Sequence, residues 1–140
     1  MAVHSNRSDD SNQPRRNLRQ SWIVITTLLA AAIFSEAVFA GVMLSGVDWG
    51  RRAHAANAVV LMASTLTAGL VAVVTLRPIP HGPRLGSTLV ALAALVLLQT
   101  AVGRSSAWGT NLMWIHVPLG VALVRFASQA VARARRLGAA

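Results

Sequence analysis

The stretch Ser21-Trp-Ile-Val-Ile-Thr-Thr-Leu-Leu-Ala-Ala-Ala-Ile-Phe-Ser-Glu-Ala-Val-Phe-Ala-Gly-Val-Met-Leu-Ser45 decides the fold, because Glu36 is the one charge in its whole length. A helix rises about 1.5 Å per residue, so about 20 apolar residues cross a hydrocarbon core of about 30 Å. Three similar runs follow. Residues 53–76 and 86–103 carry no charge, the latter holding Gln99, and 111–132 is broken by Arg125 alone. Lipid offers no partner to unpaired backbone groups, so each run predicts a membrane-spanning helix. The connections 46–52, 77–85 and 104–110 are short, which predicts antiparallel neighbours: an all-α, integral membrane four-helix bundle running up-down-up-down. The middle connection, Arg77-Pro-Ile-Pro-His-Gly-Pro-Arg84, is rich in residues that stop helices.

Around the helical domain, residues 20–134, the polar stretch 1–19 reads as a flexible cytoplasmic tail and 133–140 as a basic one. Hydrophobic residues make up 54% of the chain and mean hydropathy is +0.55, too apolar for an ordinary soluble domain with 12% charged residues. The absence of Cys excludes a disulfide framework, a zinc-thiolate centre and an iron–sulfur cluster.

The net charge of +9 comes from arginines that gather at the chain ends and in the middle connection, a topological pattern. A groove tracking nucleic-acid phosphates is not expected. Arg7, Arg15, Arg16, Arg19, Arg77, Arg84, Arg133, Arg135 and Arg136 fall on one side, against Arg51, Arg52 and Arg104 on the other. The positive-inside rule therefore places both termini and the middle connection in the cytoplasm, with the plasma membrane as the expected location. Trp49, Trp108 and Trp114 then lie at the outer interface and Trp22 at the inner one.

Four polar residues interrupt the spans: Glu36, His54, Gln99 and His116. Groups of this kind at membrane depth are costly and usually mark function. His54 and His116 lie near the outer ends of the second and fourth runs, at similar depth on helices of one direction. His54, Ala58 and Leu61 recur as His116, Gly120 and Leu123, a spacing that keeps small residues beside each imidazole. Two neutral imidazoles facing each other across a bundle suit the axial positions of a haem iron, which points to haem b. Against this stands a plainer reading, in which each histidine anchors at the interface or bonds a neighbouring helix.

A loose repeat strengthens the first reading. Glu36 precedes His54 by eighteen residues and Gln99 precedes His116 by seventeen; Val47-Asp-Trp-Gly50 is matched by Ser106-Ala-Trp-Gly109. The chain reads as two similar helical hairpins about a pseudo-two-fold axis along the membrane normal. Glu36 is a candidate for relaying a proton or hydrogen-bonding near the cofactor, or for a structural bond to Gln99, Ser64 or Thr65. Gln99 reads as interhelical glue. Arg51, Arg52 and Arg104, immediately above the histidines, suit haem propionates, and suit lipid phosphate equally. Pro118 predicts a kink beside His116.

This order of parts, Glu36, Gly41, His54, Gln99 and His116, resembles one four-helix half of haem A synthase, or a small four-helix membrane protein family related to it. The resemblance implies a haem clasped by His54 and His116 near the outer face, with Glu36 in the place of an acidic residue near the synthase active site. The chain has half a synthase's length, short outer loops and no Cys, so it is not expected to be an enzyme by itself. The expectation is a small membrane protein binding b-type haem for electron transfer or haem handling. The alternative is a non-catalytic accessory or assembly subunit without cofactor, acting through a membrane partner or a homodimer.

Overall fold

Apolar runs nucleate the helices, and polar residues at their ends extend them. A computed structural model describes residues 7–138, and among these the side chains of all but 7–12 and Ala107. The described residues form four helices: α1 (Arg7–Leu44), α2 (Asp48–Thr75), α3 (Gly82–Ala107) and α4 (Met113–Ala134). Each is long and apolar enough to cross a membrane. α1, α2 and α3 outrun the apolar stretches that predict them, because a nucleated helix propagates at the gain of one hydrogen bond per residue fixed, whereas α4 is shifted two residues along its stretch. Residues 7–19, expected as a flexible tail, are the first turns of α1, and Leu18 packs on the core. Asp48 in the first turn of α2 and Arg104 and Arg133 in the last turns of α3 and α4 suit the helix dipoles, whereas Arg51, Arg52 and Arg84 near the starts of α2 and α3 oppose them.

The two connections at the histidine end turn through left-handed glycines, Gly46 and Gly109. That corrects the Trp-Gly half of the repeat. Trp49 and Gly50 lie in the first turn of α2, whereas Trp108 caps α3 and Gly109 makes a turn. At the other end His81 itself is left-handed, and a side chain on Gly82 would run into the Leu76 carbonyl.

The helices close into a ring in which α1 touches α2 and α4, and α3 touches α2 and α4, with no close approach across either diagonal. Contact pairs run in opposite senses along neighbours: 32 with 57 and 36 with 54, 84 with 133 and 99 with 116. α2 and α3 meet closely at Gly69, where an added Cβ would lie 3.4 Å from the Val90 nitrogen. The fully enclosed side chains Leu76, Leu85, Leu89 and Leu92 sit toward the 76–81 connection, with Ala127, Ala130 and Ala134 against them. Thr26 and Thr65 are enclosed too, and their hydroxyls donate to the carbonyls of Trp22 and Leu61 on their own helices. Trp22 is buried in this core.

The C-terminal end is tied down. Arg133 Nη1 donates to the Arg84 carbonyl and the Thr88 hydroxyl, Gly138 N–H donates to Pro80, and Leu137 is buried. The outward surface is apolar, with Leu28, Phe34, Leu70, Val74 and Val121 all more than 60% exposed.

Candidate cofactor site

Glu36 stands on α1 about two and a half turns before the 45–47 connection, and His54 closes the second turn of its partner α2. Antiparallel packing brings them together: His54 Nδ1 lies 3.2 Å from Glu36 Oε1, a contact that misses hydrogen-bond alignment. Asn57, one turn further along α2, donates to Glu36 Oε2 at 2.7 Å and to the Ala32 carbonyl at 3.0 Å. Asn57 stands beside the His54 stripe in the sequence, which gives it no role of its own. Its signal was legible: an amide three residues after a histidine shares its helix face. The structural bonds expected for Glu36, to Gln99, Ser64 or Thr65, do not form; Ser64 and Thr65 return to their own helix.

The second hairpin repeats the arrangement with an amide. Gln99 Nε2 donates to the His116 carbonyl at 3.0 Å and lies 3.3 Å from His116 Nε2. Pro118, two residues on, has no N–H to offer the Trp114 carbonyl one turn earlier. Gly103 makes room for the imidazole, since a Cβ there would come within 2.8 Å of His116 Cε1. Its counterpart Gly41 would meet nothing. The repeat of acid or amide with histidine thus holds in space, where the Trp-Gly repeat does not.

All four polar residues converge. Although α2 and α4 are diagonal, the rings of His54 and His116 face each other with centroids 6.5 Å apart and planes at 76°. Glu36, His54, Gln99 and His116 line one cavity of about 380 Å³, together with Ala58, Leu61, Gly120 and Leu123 from the two matched stripes. That volume lies in the range of small-molecule sites, and an apolar lining with a few convergent polar groups is their usual chemistry. His116 Nδ1 and Gln99 Oε1 are buried there without partners. A buried polar atom left so costs about 1–3 kcal/mol. Arg51, Arg52 and Arg104 lie at this end of the bundle but are exposed and outside the cavity lining.

Two imidazoles on opposite sides of one metal, each bound through nitrogen at about 2.0 Å, have centroids about 6.3 Å apart, whereas a tetrahedral pair would lie about 5 Å apart. The observed spacing fits the first arrangement. Among the described residues, no cluster of three or more His, Cys, Asp or Glu side chains is arranged to hold a bare metal ion. Comparison of the chain with protein-family models, curated proteins and solved structures gave no match.

Proposed function

We propose that the chain is an integral membrane protein, an up-down-up-down bundle in the plasma membrane with both termini cytoplasmic, that holds b-type haem between His54 and His116. The observation that carries this reading is the facing pair of imidazoles, 6.5 Å apart, in a mainly apolar four-helix cavity. The orientation rests on the arginine distribution: Arg15, Arg16, Arg77, Arg84, Arg135 and Arg136 are all exposed at the end away from the histidines. The resemblance to one half of haem A synthase, or to smaller relatives of that half, points the same way.

His54 and His116 would supply the axial nitrogens, and the haem would supply one-electron redox chemistry. The protein's own part is orientation. The Glu36–Asn57 pair fixes the face of α2 that bears His54, and Gln99 and Gly103 fix the position of His116. Walls of Ala58, Leu61, Gly120 and Leu123 would exclude water from the site. Arg51, Arg52 and Arg104, exposed just above, would pair with propionates.

The reduced-minus-oxidised absorption spectrum of detergent-purified protein tests the reading. A Soret band with the signature of two histidine ligands is expected, and its loss in His54→Ala and in His116→Ala. Absence of the band after reconstitution with haem, or a spectrum unchanged in both variants, overturns it.

A second reading has one observation in its favour. Each histidine already touches a partner in its own hairpin, Glu36 or Gln99, as interhelical glue would. The chain is then an accessory subunit without cofactor, and a stable complex with dispensable histidines is its mark.

A further inference from the structure

The cavity has an entrance on one side only of the ring. Its lining from α2 and α3, which includes His54, Ala58, Leu61, Val96, Gln99 and Thr100, is buried or half-buried throughout. Its lining from α1 and α4 contains the exposed residues. These are Ala37, Gly41 and Leu44 on α1, and Val117, Val121 and Val124 on α4. Both sets follow the i, i+4, i+7 spacing of one helix stripe, so they form two parallel lips along the α1–α4 seam.

On the opposite side the α2 and α3 lining is covered at the cavity's own level, and below the cavity these helices are drawn together at Gly69 and Gly86, where added Cβ atoms would lie 3.4 Å and 3.6 Å from the facing backbone. Across the α1–α4 opening, by contrast, a Cβ on Gly41 would meet nothing.

The lips are apolar without exception, and Leu44, Val117 and Val121 are 73%, 60% and 69% exposed. A mouth that opened to water would leave this surface wet at about 25 cal/mol per Å². In a bilayer it costs nothing of the kind, because acyl chains meet it. The polar groups, meanwhile, lie deep behind the lips.

We infer that the α1–α4 slot is a lateral portal through which the cavity takes a lipophilic ligand directly from the outer half of the bilayer. The ligand class follows from the route: a molecule with an apolar body that dissolves in the membrane, and a group able to engage the buried imidazole and amide at the far end. A porphyrin belongs to that class. The portal rests on the membrane-spanning reading and not on the haem.

Carbene photolabelling tests it. The cofactor-free protein in nanodiscs is irradiated with an aryl diazirine dissolved in the lipid, and the labelled residues are found by mass spectrometry. Leu61 and Val96, each only 3% exposed at the cavity floor, are expected to label alongside the outward Leu70 and Val74. Gly41→Phe places a ring in the empty space between the lips. It is expected to lower floor labelling severalfold while Leu70 and Val74 label as before. A floor that fails to label in the unaltered protein overturns the portal. So does a floor that labels equally in Gly41→Phe, or one reached by a charged water-soluble diazirine and not by the lipophilic one. The Soret band judges the haem separately: a labelled floor in a protein that takes up no haem keeps the portal and removes the haem.

Discussion

Toward the 76–81 connection, Leu76, Leu85, Leu89 and Leu92 close the space between the helices completely, whereas toward the 108–112 connection the same four helices surround a cavity of about 380 Å³. The two halves divide the work. In the proposed bilayer, helices would gain little from moving apolar surface out of lipid, so close packing would be what holds them together. A half with solid packing can carry the bundle, and it frees the other half to keep a void and several polar groups. The polar groups follow the void: Glu36, His54, Gln99 and His116 all lie in the hollow half, while the buried polar residues outside the cavity lining, Thr26, Thr65 and Thr88, donate to carbonyls of their own helices.

Substitutions sharpen or break this contrast in order of size. Leu89→Ala, in the solid half, is expected to cost about 2–5 kcal/mol, read as a lowered thermal midpoint in detergent. Val117→Ala, on the lip of the hollow half, is expected to stay within about 0.5 kcal/mol. Equal losses in the two would erase the division. Asn57→Ala removes the donor to Glu36 and to the Ala32 carbonyl, and should cost about 0.6–1.7 kcal/mol in the same assay. A larger loss would mean that the hollow half carries stability as well.

The glycines give the finest test. Gly103→Ala pushes on the flexible end of the His116 ring, so it should alter the haem spectrum, or the imidazole nitrogen resonances of the cofactor-free protein, with little change in stability. Gly41→Ala meets no atom and should leave both unchanged apart from a gain of up to about 1 kcal/mol in helix propensity. Because both changes gain the same propensity, their difference isolates the contact with His116. Identical behaviour of the two variants would remove Gly103 from the site.

Much of this was legible beforehand, and the misses have physical reasons. The four apolar runs located the helices, since hydropathy over a membrane's thickness is a property of consecutive residues. Helix ends were drawn too short at 7–20 and 48–52, because hydropathy registers where the apolar run stops and not where the hydrogen-bond ladder stops. The order of acid or amide before histidine followed from spacings of eighteen and seventeen residues in the two hairpins, but the contacts of Glu36 with His54 and of Gln99 with His116 did not. That Glu36 would bond Asn57 and not Gln99 did not, because it depends on which helix faces touch.

The sequence by itself determined four helices, their order, the side of the bundle that gathers arginine and the end that gathers histidine. Each of these depends on residues near one another along the chain. Tertiary structure alone decided that two diagonal helices bring their imidazoles to 6.5 Å, that Gly103 yields its space to one of them, and that the cavity opens between α1 and α4. Those facts depend on the rotation of each helix about its axis, which is set when all four helices pack at once.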